Sequence, residues 1–141
     1  MLKNLDNKFI GFMNRWGMTV LRLSLGIVFL WFGLLKLLGE SPVLDLVQSS
    51  YDFLPFPQTF YILGAVECFI GIGLLFKTAL KISLGMLWLM LAGTFISVAL
   101  NPTLYFTDNI LYLTTEGEFV IKNIVLIAAG LAIGGSEFRP K

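Results

Sequence analysis

Four ionisable side chains fall inside otherwise apolar runs: Arg22, Lys36, Glu67 and Lys122. Charged groups in such surroundings pair with one another, carry protons or bind polar ligands. The acid is the most constrained of the four. It sits in TFYILGAVECFIGIGLLF, Thr59 to Phe76, eighteen residues with no other charge. As a helix this run would be about 27 Å long, close to the roughly 30 Å hydrocarbon core of a bilayer. Glu67 would then lie about 12 Å from either face. A carboxylate at that depth must be neutral, paired or hydrated.

The rest of the chain has the composition of a membrane protein. Of its 141 residues 57% are hydrophobic and 13% charged, with a mean hydropathy of +0.84. That length suits one transmembrane domain of about four spans. The net charge of +1 argues against a nucleic-acid partner. Histidine is absent, which removes imidazole haem ligation, histidine zinc sites and histidine bases. The single cysteine, Cys68, excludes an internal disulfide and dithiol redox chemistry. No metal site and no catalytic residue is expected. A redox role would therefore need a bound quinone or a partner protein. No cleavable signal peptide is expected, because the first apolar run is too long for one.

The expected fold is all-α, a polytopic four-helix transmembrane bundle with short interfacial helices. The spans are expected at about 17–38, 59–76, 79–100 and 118–133. Leu2, Leu5, Phe9, Phe12 and Trp16 recur at helical spacing before the first span. They form either an amphipathic interfacial helix or an extension of that span. Within it, Arg22, Gly26, Phe29, Gly33, Lys36 and Glu40 share one face, which small residues direct into the bundle. Ser41-Pro42 reads as the start of a short helix lined by Val43, Leu44, Val47, Tyr51 and Leu54, and stopped by Pro55 and Pro57. Gly64, Glu67 and Gly71 share the inner face of the second span. Met86, Met90, Gly93 and Ser97 form the expected inner stripe of the third. Tyr105, Phe106 and Tyr112 suit an aromatic belt. Thr115-Glu116-Gly117-Glu118 matches a capping box that opens the last span, and Gly134-Gly135 ends it.

Orientation follows from the basic residues. Lys3, Lys8, Arg15, Lys77, Lys81, Arg139 and Lys141 lie at the termini and in the middle turn. The two long connections carry Glu40, Asp45, Asp52, Asp108, Glu116 and Glu118, and no lysine or arginine. The positive-inside rule places both termini in the cytoplasm, an N-in/C-in topology.

On that topology Lys36 lies within about one turn of the outer face, Lys122 about 6 Å below it and Arg22 about 6 Å above the inner face. A buried Arg22–Glu67 pair is the favoured arrangement. Lys36 or Lys122 could also reach Glu67, and snorkelling to the outer headgroups is the simpler reading for Lys36. The set Arg22, Lys36, Glu67 and Lys122 is the candidate ligand site. Its net positive charge would draw an anionic or carbonyl-bearing ligand such as a quinone, a lipid headgroup or a small oxyanion. Cys68 and the methionines are expected to pack, and Asn123 to bond across helices.

Three segments carry a family resemblance: LRLSLGIVFLWFGLLKLLG (21–39), GAVECFIGIGLLF (64–76) and TTEGEFVIKNIVLIAAGLAIG (114–134). They resemble the DoxX-like family of small four-helix bacterial membrane proteins, in particular the branch of the reactive-chlorine-resistance membrane protein. The resemblance implies a multi-pass protein of the bacterial inner membrane. Some members are subunits of a thiosulfate:quinone oxidoreductase, and others are tied to oxidative or chlorine stress or to soluble redox partners. It implies an accessory or quinone-associated role, not an independent enzyme. Membrane lipid, a membrane or soluble redox partner and a homo-oligomer are the compatible partners. Small-anion or weak-acid transport and a non-catalytic scaffold are the alternatives.

Overall fold

Between Leu2 and Leu37 no proline interrupts the chain, and apolar residues dominate from Gly17 onward. The result is one continuous helix, α1 (Leu2–Leu37). The computed structural model describes residues 2–50, 55 and 57–138, with side chains from Asp6 onward. After α1 come α2 (Leu44–Ser50), α3 (Gln58–Phe76), α4 (Leu80–Leu100), α5 (Pro102–Tyr105), α6 (Thr115–Ile121) and α7 (Asn123–Glu137). Among the described residues the only β pairing is one bridge between Phe106 and Leu113.

Among the described residues four helical stretches are long and apolar enough to cross a membrane. They are Asp6–Leu37, Gln58–Phe76, Leu80–Leu100 and, with α6 and α7 taken together, Thr115–Glu137. The amphipathic segment before the first span is thus an extension of it. Leu2, Lys3, Leu5, Tyr51, Asp52, Leu54, Arg139 and Lys141, which entered the sequence reading, have side chains outside the described residues.

Backbone proximity sets how α1 and α3 pair. A Cβ on Gly33 would come within 2.6 Å of the Gly64 carbonyl, and one on Gly71 within 2.5 Å of the Leu30 nitrogen. Only glycine permits that approach, and close approach is what yields dispersion energy where apolar burial alone gives no preference. A tight turn through Lys77 and Ala79, both left-handed at φ 58° and 51°, folds α4 back on α3. α4 then packs on α7 and α7 on α1, which closes the ring. The core is Leu25 and Phe29 from α1, Ile70 and Leu74 from α3, Leu84, Leu87 and Leu91 from α4, and Ile133 from α7.

Several local expectations change. The buried stripe of α4 runs through Ser83, Leu84, Leu87 and Leu91 to Ser97. Met86, Met90 and Gly93 are only half-buried. A helix apolar on every side offers no period from which to choose a face. α2 begins at Leu44, with the Leu44 amide bonded to the Ser41 carbonyl, rather than at Pro42. The cap of α6 is Thr114, whose hydroxyl accepts from the Gly117 amide at 3.0 Å. Glu118 is therefore not a capping-box acid. Gly117 occupies that third position because a Cβ there would collide with the Tyr105 carbonyl. Gly134-Gly135 do not end the last helix, which runs to Glu137 and is interrupted instead at Lys122.

Candidate functional site

Lys36 and Glu67 form the one ion pair buried on both sides among the described residues. Lys36 Nζ lies 2.9 and 2.7 Å from the two carboxylate oxygens of Glu67. The residues are 6% and 7% exposed. Local geometry selects this pairing. Every Cα–Cβ bond in a helix tilts toward that helix's own N-terminus. α1 and α3 are antiparallel, so the tilts carry Lys36 and Glu67 toward each other. Gly64, one turn before Glu67, makes room for the lysine stem, since a Cβ there would come within 2.9 Å of Lys36 Cβ.

The same tilt turns Arg22 away from Glu67, so the expected Arg22–Glu67 pair does not form. Arg22 lies fourteen residues before Lys36, about 21 Å along the helix. Its Nη1 donates to the Leu74 carbonyl and, at 3.0 Å, to the Leu75 carbonyl. These are carbonyls of the last turn of α3, which lack helical partners of their own. Its Nε is 3.8 Å from a Glu137 oxygen, beyond hydrogen-bond reach, and has no hydrogen-bond partner among the described residues. Lys77 binds Glu137 at 2.7 Å. Arg22 thus fastens the opposite end of the bundle.

Lys36 does not snorkel outward, whereas Lys122 does point out. Lys122 is exposed at the break between α6 and α7, and it makes no ion pair among the described residues. Its neighbour Asn123 turns inward and donates to Thr94 at 3.2 Å, as expected of a residue bonding across helices. Cys68 is half-buried against α1, with its sulfur 3.9 Å from the Leu30 carbonyl.

Lys36 and Glu67 stand in the wall of a cavity of about 420 Å³. That volume is within the range of small-molecule sites. Its wall is mostly apolar, with Phe29, Phe32, Leu63 and Leu126 among the lining residues. A second polar group faces the same space. The Tyr105 hydroxyl is hydrogen-bonded to Ser50 at 2.8 Å and also to Ser97, so that one phenol joins α2, α5 and α4. Tyr105 is 2% exposed and not part of an aromatic belt. Sequence reasoning missed Ser50 and Tyr105. The available signal was Ser50 at the end of a short amphipathic helix, with Tyr105 three residues after Pro102.

These features define a class of protein: a helical bundle holding a largely apolar internal cavity, with an ion pair and a hydroxyl chain in its wall. No family model, no curated protein and no solved structure matches the chain.

Proposed function

We propose that this is a multi-pass protein of the bacterial cytoplasmic membrane, with both termini cytoplasmic, which holds a quinone-type molecule in its cavity as an accessory to a redox partner. The single observation that carries this reading is the apolar cavity walled by the buried Lys36–Glu67 pair. Quinone sites are apolar clefts with a few convergent polar groups, and this wall has that character. The four apolar helices and the basic residues at one end support the topology. The resemblance to DoxX-like proteins supports the redox context. Arg22, Gly33, Lys36, Glu67 and Gly71, which carry that resemblance, also stitch α1 to α3.

Anion transport has less support. The excess of cations expected around Glu67, which would have drawn an anionic or a carbonyl-bearing ligand alike, is not found among the described residues: Lys122 is exposed and Arg22 is engaged at the other end. An anion thereby loses the counter-charge it needs, whereas a neutral quinone relies on the apolar wall instead. The test is to purify the protein from bacterial membranes into nanodiscs, extract it with solvent and quantify quinones by mass spectrometry. About one quinone per chain is expected, well above empty nanodiscs. No enrichment over empty nanodiscs would reject the reading.

A further inference from the structure

The walls of the cavity are unequal. At the end carrying α2 and α5 it is roofed. Val43, Leu46 and Val47 line it from α2 and the turn before it. Ser50 is pinned to Tyr105, and the Ser50 carbonyl accepts from Asn101 at 3.2 Å. On its flanks the cavity is open. Val28, Leu89 and Phe119 line it and yet are 39%, 76% and 44% exposed. Val28 lies nine residues before the end of α1, about 13 Å down the helix. Leu89 lies eleven residues before the end of α4, about 16 Å down. In a bilayer these openings would face acyl chains rather than water.

Among the described residues, charge in the wall cancels. Lys36 and Glu67 neutralise each other, and neither Lys122 nor Arg22 lines the cavity. A full charge brought inside would have no counter-ion free to meet it, and its desolvation would go uncompensated. What the wall does offer is neutral hydrogen bonding from Ser50, Ser97, Tyr105, Thr94 and Asn123.

The geometry points to a cavity loaded sideways from the bilayer by a neutral amphiphile, whose polar head stops beneath α2 against the Ser50–Tyr105–Ser97 hydroxyls while its apolar tail leaves through the open flank. This rests on the reading of the cavity as a ligand site, and it adds the charge of the ligand, its need for a tail, its route and its anchor. The hydroxyl chain also explains the roof. A head seated there touches the groups that hold α2 down.

Native mass spectrometry of the protein in nanodiscs tests this with three probes: decyl-benzoquinone, the same ring without a tail, and dodecyl phosphate. The tailed quinone is expected to fill one saturable site. Removing the tail should weaken binding more than tenfold after correction for partitioning, and dodecyl phosphate should not compete. Tyr105→Phe should weaken the tailed quinone about tenfold, the worth of one hydrogen bond. If that variant does not fold, Ser97→Ala provides the same reading. Val28→Trp, which narrows one flank, should slow association more than it changes affinity. Equal binding of the tail-less ring, or competition by dodecyl phosphate, would overturn the inference and leave the cavity reading standing. If none of the three probes binds, both fall.

Discussion

Lys36 Nζ sits between the two carboxylate oxygens of Glu67, at 2.9 and 2.7 Å, thirty-one residues away in the chain. The lysine comes from the last turn of α1 and the acid from the middle of α3. The two helices therefore share this enclosed ion pair and, at the other end, the buried Arg22 guanidinium on the α3 carbonyls, beside a row of contacts that are steric.

Removing either partner should leave a charge buried without compensation. Lys36→Met and Glu67→Gln are each expected to cost about 3–5 kcal/mol. The double variant should recover most of that loss, because two neutral side chains of similar volume remain. Reversible unfolding in mixed micelles titrated with SDS measures all three. Additive losses in the double variant would show that the two residues do not act as a pair.

Glycine contacts give a sharper contrast. A methyl group at Gly71 meets the α1 backbone at 2.5–2.8 Å, so Gly71→Ala must push the helices apart and should cost about 1–3 kcal/mol or more. Gly85 has nothing within 4 Å, and Gly85→Ala should gain roughly 0.5–1 kcal/mol from helix propensity alone. The same unfolding assay distinguishes them by sign.

At the other end, Arg22 donates to the carbonyls of Leu74 and Leu75. Arg22→Met should lose about 1.5–3 kcal/mol, the range for hydrogen bonds made by a charged group. Glu137→Gln should lose less than about 1 kcal/mol, because its partner Lys77 is half-exposed. A larger loss for Glu137 than for Arg22 would reverse the assignment of the anchor.

Single cysteines placed in a Cys68→Ser background report the topology. Positions 8 and 137 should react with a membrane-impermeant maleimide only after permeabilisation of spheroplasts, and position 111 before it. The opposite pattern would invert the proposed orientation.

Much of the architecture is readable before folding. Long apolar runs bounded by prolines and lysines mark α3 and α4 to within a residue, since length and hydropathy alone decide a span. The inward face of α1 is equally plain, because Arg22, Gly26, Phe29, Gly33 and Lys36 all prove buried, whereas Glu40, expected on the same face, lies past the end of α1 and is exposed. Pairing is harder. Arg22 and Lys36 lie on the same face, so periodicity cannot rank them as partners for Glu67. The deciding quantity is the tilt of each side chain along its helix, which becomes legible only once α1 and α3 are known to run antiparallel. Tyr105 looks like any interfacial aromatic until Ser50 and Ser97 are brought to its hydroxyl from distant parts of the chain. The interruption at Lys122 contains neither proline nor glycine, so no local signal marks it.

The glycine-lined seam between α1 and α3 has a mechanical consequence. Two backbones in direct contact, bolted by Lys36 at one extremity and by Arg22 at the other, behave as a single stiff plank. Breathing of the cavity must then come from the facing half: from α2, from α6, and from the stretch of α4 beyond Leu91, where leucine packing gives way to hydroxyls.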